Sequence, residues 1–358
     1  MPACRRIAKA LRPRPRVLIL DEPTAALSEK EAEALGEQML KLKQQNLPLL
    51  YVTHRLAEVF ALADRVTVLR GGEVVLTGKV RDLSRDDLVA AIAGESIQRE
   101  RPPQRDGVRK PAVSVRGLVA AGIGPVDFDI REGEVLGVFG LVGSGRTELL
   151  EALFGSHRVF GGDVNVDGAR IRASSPGDAV AAGIALVPSD RLRKSIIGQL
   201  SAGENMLLPS FLRIAAAGLR NPLAERKAFD MSAQQLNLQP PRADLQARRF
   251  SGGNQQKLVI ARWLNDTISC RLLMLDEPTQ GVDVGARRDI YAAIRASADA
   301  GKSVLVTSSE PEELVQIADR VIVLSAGRIA ATVDYAEIDE ARLLMLAHQV
   351  EHQGLAAE

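Results

Sequence analysis

Between positions 140 and 147 the chain reads Gly-Leu-Val-Gly-Ser-Gly-Arg-Thr. Glycines at 140, 143 and 145 let backbone N–H groups turn inward around phosphate oxygens, and a helix that starts here adds its positive end. Ser144 lies inside the loop, and Thr147 offers a hydroxyl to a Mg²⁺ ion. The run fits the pattern G-x-x-x-x-G-K-[ST], except that Arg146 stands where lysine is usual. Arginine keeps the positive charge. Its planar fork is bulkier and binds oxygens in pairs, so the terminal phosphate is expected to be held differently. A second constellation, Asp276-Glu277, closes an apolar run, LLMLDEPT. Asp276 is expected to hold Mg²⁺ through water, and Glu277 to polarise an attacking water as a general base. A third, Ser251-Gly252-Gly253 followed by Gln255, opens a helix and makes an anion site from exposed N–H groups and a serine hydroxyl. Ser251 as an ordinary helix cap is the alternative.

These residues need particular elements to carry them. EVLGVFG (134–140) predicts a buried strand, and TELLEALFG the helix after the loop. LLMLD (272–276) predicts a second buried strand, with its acids at the carboxyl edge of a parallel sheet, where ligands bind. Short apolar strands alternating with helices predict a parallel sheet covered on both faces.

LDEPTAAL (20–27) recurs as LDEPTQGV (275–282), an offset of 255 positions. The same offset aligns Ala63-Asp64-Arg65-Val66 with Ala318-Asp319-Arg320-Val321, and Gly72 with Gly327. A register kept without a gap over that length is a duplicated domain. At this offset the first copy's phosphate loop, and its Ser-Gly-Gly turn, would fall before Met1. The expected organisation is a truncated first domain (1–99), a charged, Pro-rich linker (100–111) and a complete second domain (112–358).

Composition sets bounds. Hydrophobic residues make up 46% and charged ones 25%, while aromatics are only 3%; helices and buried parallel strands suit this better than a β-sandwich. A net charge of +1 gives no electrostatic reason to expect nucleic acid. Cys4 and Cys270 have no metal-like spacing and read as reduced thiols. No apolar run approaches the ~18 residues of a membrane span, and Val17–Leu20 is too short for the core of a signal peptide.

Taken together, the loop, the Ser-Gly-Gly turn and the Asp-Glu pair, in this order, resemble the ATP-binding subunit of an ABC transporter. SGGNQQK with Trp263, the stretch EGEVLGVFGLVGSGRTEL and GVDVGAR resemble the bacterial sugar-importer branch (the ribose, xylose and galactose type), in which two ATPase domains are fused. The resemblance implies an α/β P-loop NTPase fold with a mostly parallel sheet, an antiparallel β-subdomain and a helical subdomain, in one partial and one complete copy. It implies ATP and Mg²⁺ as ligands, with Glu277 catalytic and Thr147 and Asp276 at the metal. Transmembrane permease subunits are the implied partners, with a periplasmic sugar-binding protein behind them and dimerisation through the ATPase domains. The implied location is the cytoplasmic face of the bacterial plasma membrane. Asp21, Glu22 and His54 would be relics of the first site.

Departures are few. Ser309 stands at the position of His54, as the branch's second domain commonly allows; Gln280 replaces an arginine; and VPSDR (187–191) puts Ser189 or Asp190 where a glutamine is usual. In this family each ATP lies between one domain's phosphate loop and the other's Ser-Gly-Gly turn. Neither sandwich is complete within these residues, so nucleotide binding with weak turnover by the monomer is expected. The alternative is a truncated remnant that binds ATP without driving transport. A twin-ATPase acting on ribosomes fits poorly with so short a linker.

Overall fold

The computed structural model describes residues 15–21, 23–24, 29–53, 56–70, 73–84, 87–88, 91, 109–141, 143–215, 219–265 and 268–354. Glu22, His54, Gly72, Cys4 and most of the linker lie outside them. The chain divides into two compact units, residues 1–99 and 100–358.

In the first unit β1 (Leu18–Asp21) and β2 (Leu49–Val52) pair in parallel, with Leu18 opposite Leu49. Helix α1 (Glu29–Gln44) covers one face, where Leu18 and Leu20 pack on Leu35 and Met39. Helix α2 (Leu56–Leu62) leads into an antiparallel hairpin, β3 (Arg65–Arg70) and β4 (Glu73–Lys79). Asp21, at the end of β1, is exposed.

The second unit opens with β5 (Pro111–Ala120), β6 (Ile123–Arg131) and β7 (Val135–Phe139). Helix α3 (Arg146–Leu153) follows, then β8 (Val159–Val166), β9 (Ala169–Ile171), α4 (Pro176–Ala181) and β10 (Ile184–Val187). A helical stretch comes next: α5 (Arg191–Lys194), α6 (Ala202–Leu207), α7 (Phe211–Ile214), α8 (Pro222–Gln235) and α9 (Gly252–Leu264). The described residues close with β11 (Leu272–Asp276), α10 (Val284–Asp299), β12 (Ser303–Ser308), α11 (Pro311–Ile317), β13 (Arg320–Ser325), β14 (Arg328–Asp334) and α12 (Glu340–Gly354).

Two sheets result. The larger has the order β10-β11-β12-β7-β13-β14, parallel but for β14; the smaller, β6-β5-β8-β9, is antiparallel. All five residues of β7 and of β11 are buried, and their side chains divide between two cores. Leu273 and Leu275 face the helices, with Val135 and Phe139, while Leu272 and Met274 face the small sheet with Leu136 and Val138. This two-sided burial is why both strands read as unbroken apolar runs.

The sequence repeat is a structural one. Shifted by 255 positions, α1, α2, β3 and β4 fall on α10, α11, β13 and β14 with identical limits. The irregularity in hairpin register recurs as well, between Val68 and Leu69 and between Val323 and Leu324.

Candidate nucleotide site

The loop after β7 is shaped by its glycines. A Cβ on Gly140 would run into the Ser144 hydroxyl, and would lie 2.6 Å from the Leu324 carbonyl oxygen. Gly143 and Gly145 have φ of +87° and +100°, in the left-handed region that favours glycine. The β13–β14 turn braces the loop from outside, where Gly327 N donates to the Ser144 carbonyl at 2.9 Å. Ser144 is buried, and its hydroxyl has no hydrogen-bond partner among the described residues. A buried polar group without a partner is uncommon, and this one sits within the glycine loop.

Arg146 and Thr147 occupy the first turn of α3, and Asp276 and Glu277 the end of β11. The pairs meet. Thr147 Oγ1 donates to Asp276 Oδ2 at 3.0 Å, and Arg146 Nη1 donates to Glu277 Oε1 at 2.7 Å. Asp276 also accepts from Ser189 Oγ at 2.9 Å and from Thr307 Oγ1 at 2.7 Å, so α3, β12 and the segment just after β10 converge on one carboxylate. Glu277 accepts from Ser309 Oγ at 3.2 Å, and its N–H donates to the Thr307 carbonyl at 3.1 Å. Its φ is +47°, a left-handed backbone unusual for a side chain of this size. Burial pushes the Glu277 carboxyl upward from its ordinary range, against the pull of the Arg146 cation.

The Ser-Gly-Gly turn heads α9. Ser251 Oγ accepts from Asn254 N at 3.4 Å and from Asn254 Nδ2 at 2.9 Å, capping the helix, and the residue is exposed. The capping alternative therefore holds, and it leaves the hydroxyl proton available to an incoming anion. Gln255 is turned inward: its amide donates to the carbonyls of Ala247 and Phe250. Arg191 is a neighbour the sequence reading did not single out. Its Nη1 donates to the Gln280 carbonyl at 3.1 Å, and its Nη2 lies 2.7 Å from where a Cβ on Gly252 would stand. Burial lowers the pKa of its guanidinium.

The structure thus brings together Gly140, Gly143, Ser144, Gly145, Arg146, Thr147, Asp276 and Glu277, with Ser189 and Ser309 beside them. Thr307 was missed; its signal was the hydroxyl ending a strand that pairs with β11. The oxygen donors of Thr147 and Asp276 suit a hard cation such as Mg²⁺, which takes one or two protein oxygens and completes its shell with phosphate and water. Among the described residues no cluster of three or more His, Cys, Asp or Glu could hold a metal ion.

Comparisons with known proteins bear on the family and the fold. The model of the ABC transporter family matches residues 123–280. The ribose import ATP-binding protein RbsA of Geobacillus kaustophilus is 39% identical over 342 residues, covering 95% of this chain and 69% of the relative. The xylose import ATP-binding protein XylG of Photobacterium profundum is 38% identical over 332 residues, covering 90% of this chain and 65% of the relative. Among solved structures, a dimeric ATP-binding cassette, MJ0796, in a post-hydrolysis state with ADP and phosphate superposes with a TM-score of 0.54 at 22% identity. It covers 62% of this chain and 98% of that cassette.

Proposed function

The chain belongs to the ABC transporter ATP-binding proteins of the sugar-import type, and on that footing we propose that it binds and hydrolyses ATP to drive uptake of a monosaccharide. The observation that carries the reading is the double meeting of Arg146-Thr147 with Asp276-Glu277. It joins a phosphate loop to a carboxylate pair, the parts that phosphoryl transfer to water requires.

In this reading the amides of residues 140–147 and the Ser144 hydroxyl receive the β- and γ-phosphates. Arg146 leaves Glu277 for phosphate oxygens, and Glu277 then accepts the proton of the attacking water as it closes on the γ-phosphorus. Thr147 and Asp276 would hold a Mg²⁺ ion, which would draw charge from the phosphates when bound. Ser251 and the first amides of α9 would face the nucleotide of an opposing ATPase domain, in the manner of the family's paired cassettes. We read the two units as two copies of one ATPase domain, the second carrying this site. Partners of the same reading are transmembrane permease subunits, with a periplasmic binding protein supplying the sugar. It sets the chain on the cytoplasmic face of the membrane; among the described residues no helix is long and apolar enough to cross a bilayer.

The test is titration of the purified chain with a fluorescent ATP analogue, with and without Mg²⁺. Wild type should bind more tightly with the metal, and Thr147→Val and Asp276→Asn should lose that gain. Affinity indifferent to Mg²⁺ and to both substitutions would sink the assignment. A second copy, or another ATPase domain, would complete the sandwich. Light scattering of Glu277→Gln should therefore show a mass increase on adding ATP, and an unchanged mass counts against pairing of two copies.

A further inference from the structure

Behind Glu277 lies a buried carboxyl that the chemistry above does not use. Glu313, on α11, is 2% exposed. Thr279 Oγ1, in the turn that carries Glu277 away from β11, donates to Glu313 Oε1 at 3.0 Å, and this bond is buried. The helix bearing Glu313 starts just after Ser309, whose hydroxyl donates to Glu277. One carboxyl therefore ties the turn on one side of the site to the segment on the other.

The tie is built twice. Thr24 and Glu58 precede Thr279 and Glu313 by the repeat offset of 255, and Thr24 Oγ1 donates to Glu58 Oε1 at 2.6 Å. Thr53, the counterpart of Ser308, donates to Glu58 Oε2 at 2.8 Å. Ser308 faces Glu313 in the second unit. What differs is the surrounding. Glu58 is half-buried, whereas Glu313 is enclosed. Around Glu313 stand Glu277 and Thr279 of the turn after β11, Ser308 of β12, Arg287 and Tyr291 of α10, and Glu310 at the head of its own helix. Arg287 is engaged by Glu310 at 3.1 Å and so is shared rather than dedicated to Glu313.

We propose that Glu313 is a positioning residue: its carboxyl clamps the turn after β11 to α11 and so sets where Glu277 stands relative to Ser309. The proposal rests on the reading of Glu277 as the base. Enclosure pushes the Glu313 carboxyl up to about 7, first by desolvation and then by the neighbouring Glu277 charge. The clamp is therefore neutral in mildly acidic solution and ionised in mildly alkaline solution. Ionisation adds a negative charge beside Glu277 and makes it a better proton acceptor. Because the folded value lies above the unfolded one, Glu313's contribution to stability is complete below the ordinary carboxylate range and is lost as pH rises through about 7.

The test uses the chain with Glu313→Gln, which keeps an acceptor for Thr279 but cannot ionise, and with Thr279→Val, which removes the donor. Melting temperatures of wild type and Glu313→Gln should coincide near pH 5 and separate by pH 8, with the variant higher. Both variants should hold a fluorescent ATP analogue within about twofold of wild type. At pH 8 they should slow single-turnover hydrolysis about tenfold, and Glu313→Gln, close to wild type near pH 5, should lose the rise in rate through neutral pH. Equal hydrolysis at every pH, or an unaltered stability profile, overturns the clamp. If wild type hydrolyses none even at protein concentrations where ATP pairs two copies, the catalytic reading of Glu277 has failed. The clamp is then decided by combining Glu313→Gln with Glu277→Gln: a non-additive melting shift supports it, and strict additivity overturns it.

Discussion

Arg146 and Glu277, separated by 131 positions in the chain, are joined by one 2.7 Å bond, with side chains only 10% and 13% exposed. The cation that should grip phosphate is thus already engaged by the carboxylate that should activate water. An arriving nucleotide has to compete for it.

That competition is measurable. Glu277→Gln removes the negative charge while keeping the shape, so ADP or pyrophosphate should bind more tightly. Breaking a charge-assisted bond of this kind costs on the order of 1.5–3 kcal/mol, so a gain of roughly ten- to a hundredfold is expected. Calorimetry with ADP is the appropriate measurement, because it involves no hydrolysis. Unchanged or weaker affinity would show that the pair does not obstruct the site.

Two loop glycines should respond differently to alanine. At Gly143 the left-handed φ is the whole difficulty, since an added Cβ meets nothing within 4 Å. At Gly145 the same strain is joined by a contact of 2.5 Å with Ile123 Cδ1. Gly143→Ala should cost about 1–2 kcal/mol of stability, and Gly145→Ala clearly more. Denaturant unfolding of the two variants checks the order; a reversed order would refute the account of the loop.

Thiol chemistry gives a further check. Cys270 is buried, and desolvation raises its thiol to about 11. At pH 8 it should resist iodoacetamide in the folded chain and react once urea unfolds it. Mass spectrometry of the peptide containing Cys270 distinguishes the two, and rapid labelling of the folded protein would contradict the burial.

Among the described residues Arg262 has no carboxylate partner. It donates to the carbonyls of Asn205 and Ser195 at 2.9 and 3.0 Å, and burial draws its pKa down to about 10. It binds α9 to α6 and to the turn after α5. Arg262→Met should leave both carbonyls unpaired and lower stability by about 1–3 kcal/mol. A thermal melt matching wild type would show that the methylene stem alone does the holding.

The parts that could be read from the sequence were those where one local rule governs. The runs 134–140 and 272–276 are apolar throughout because both faces of their strands are covered, and the phosphate loop is a contiguous pattern of glycines. The offset of 255 needed only comparison of the chain with itself, and it turned out to fix the limits of four elements. Side-chain partnership across the sheet was not legible. Arg146 was assigned to phosphate from its place in the loop, and nothing local in the sequence could show that Glu277 holds it. Gln255 read as a ligand from its motif, yet its amide satisfies two carbonyls of the preceding turn, a choice that only packing makes. Thr307 and Arg191 were overlooked because their neighbours are distant in sequence and adjacent only in the folded sheet.

The backbone of Glu277, at φ +47°, has a consequence for durability. A glycine would take that conformation without strain, and it would also remove a carboxyl that burial disfavours. Glu277→Gly should therefore melt above Glu277→Ala, though both lack the carboxyl. On the reading of Glu277 as the base, the most comfortable residue at this position is an inert one, and the backbone there is held in a costly shape for the sake of the carboxyl.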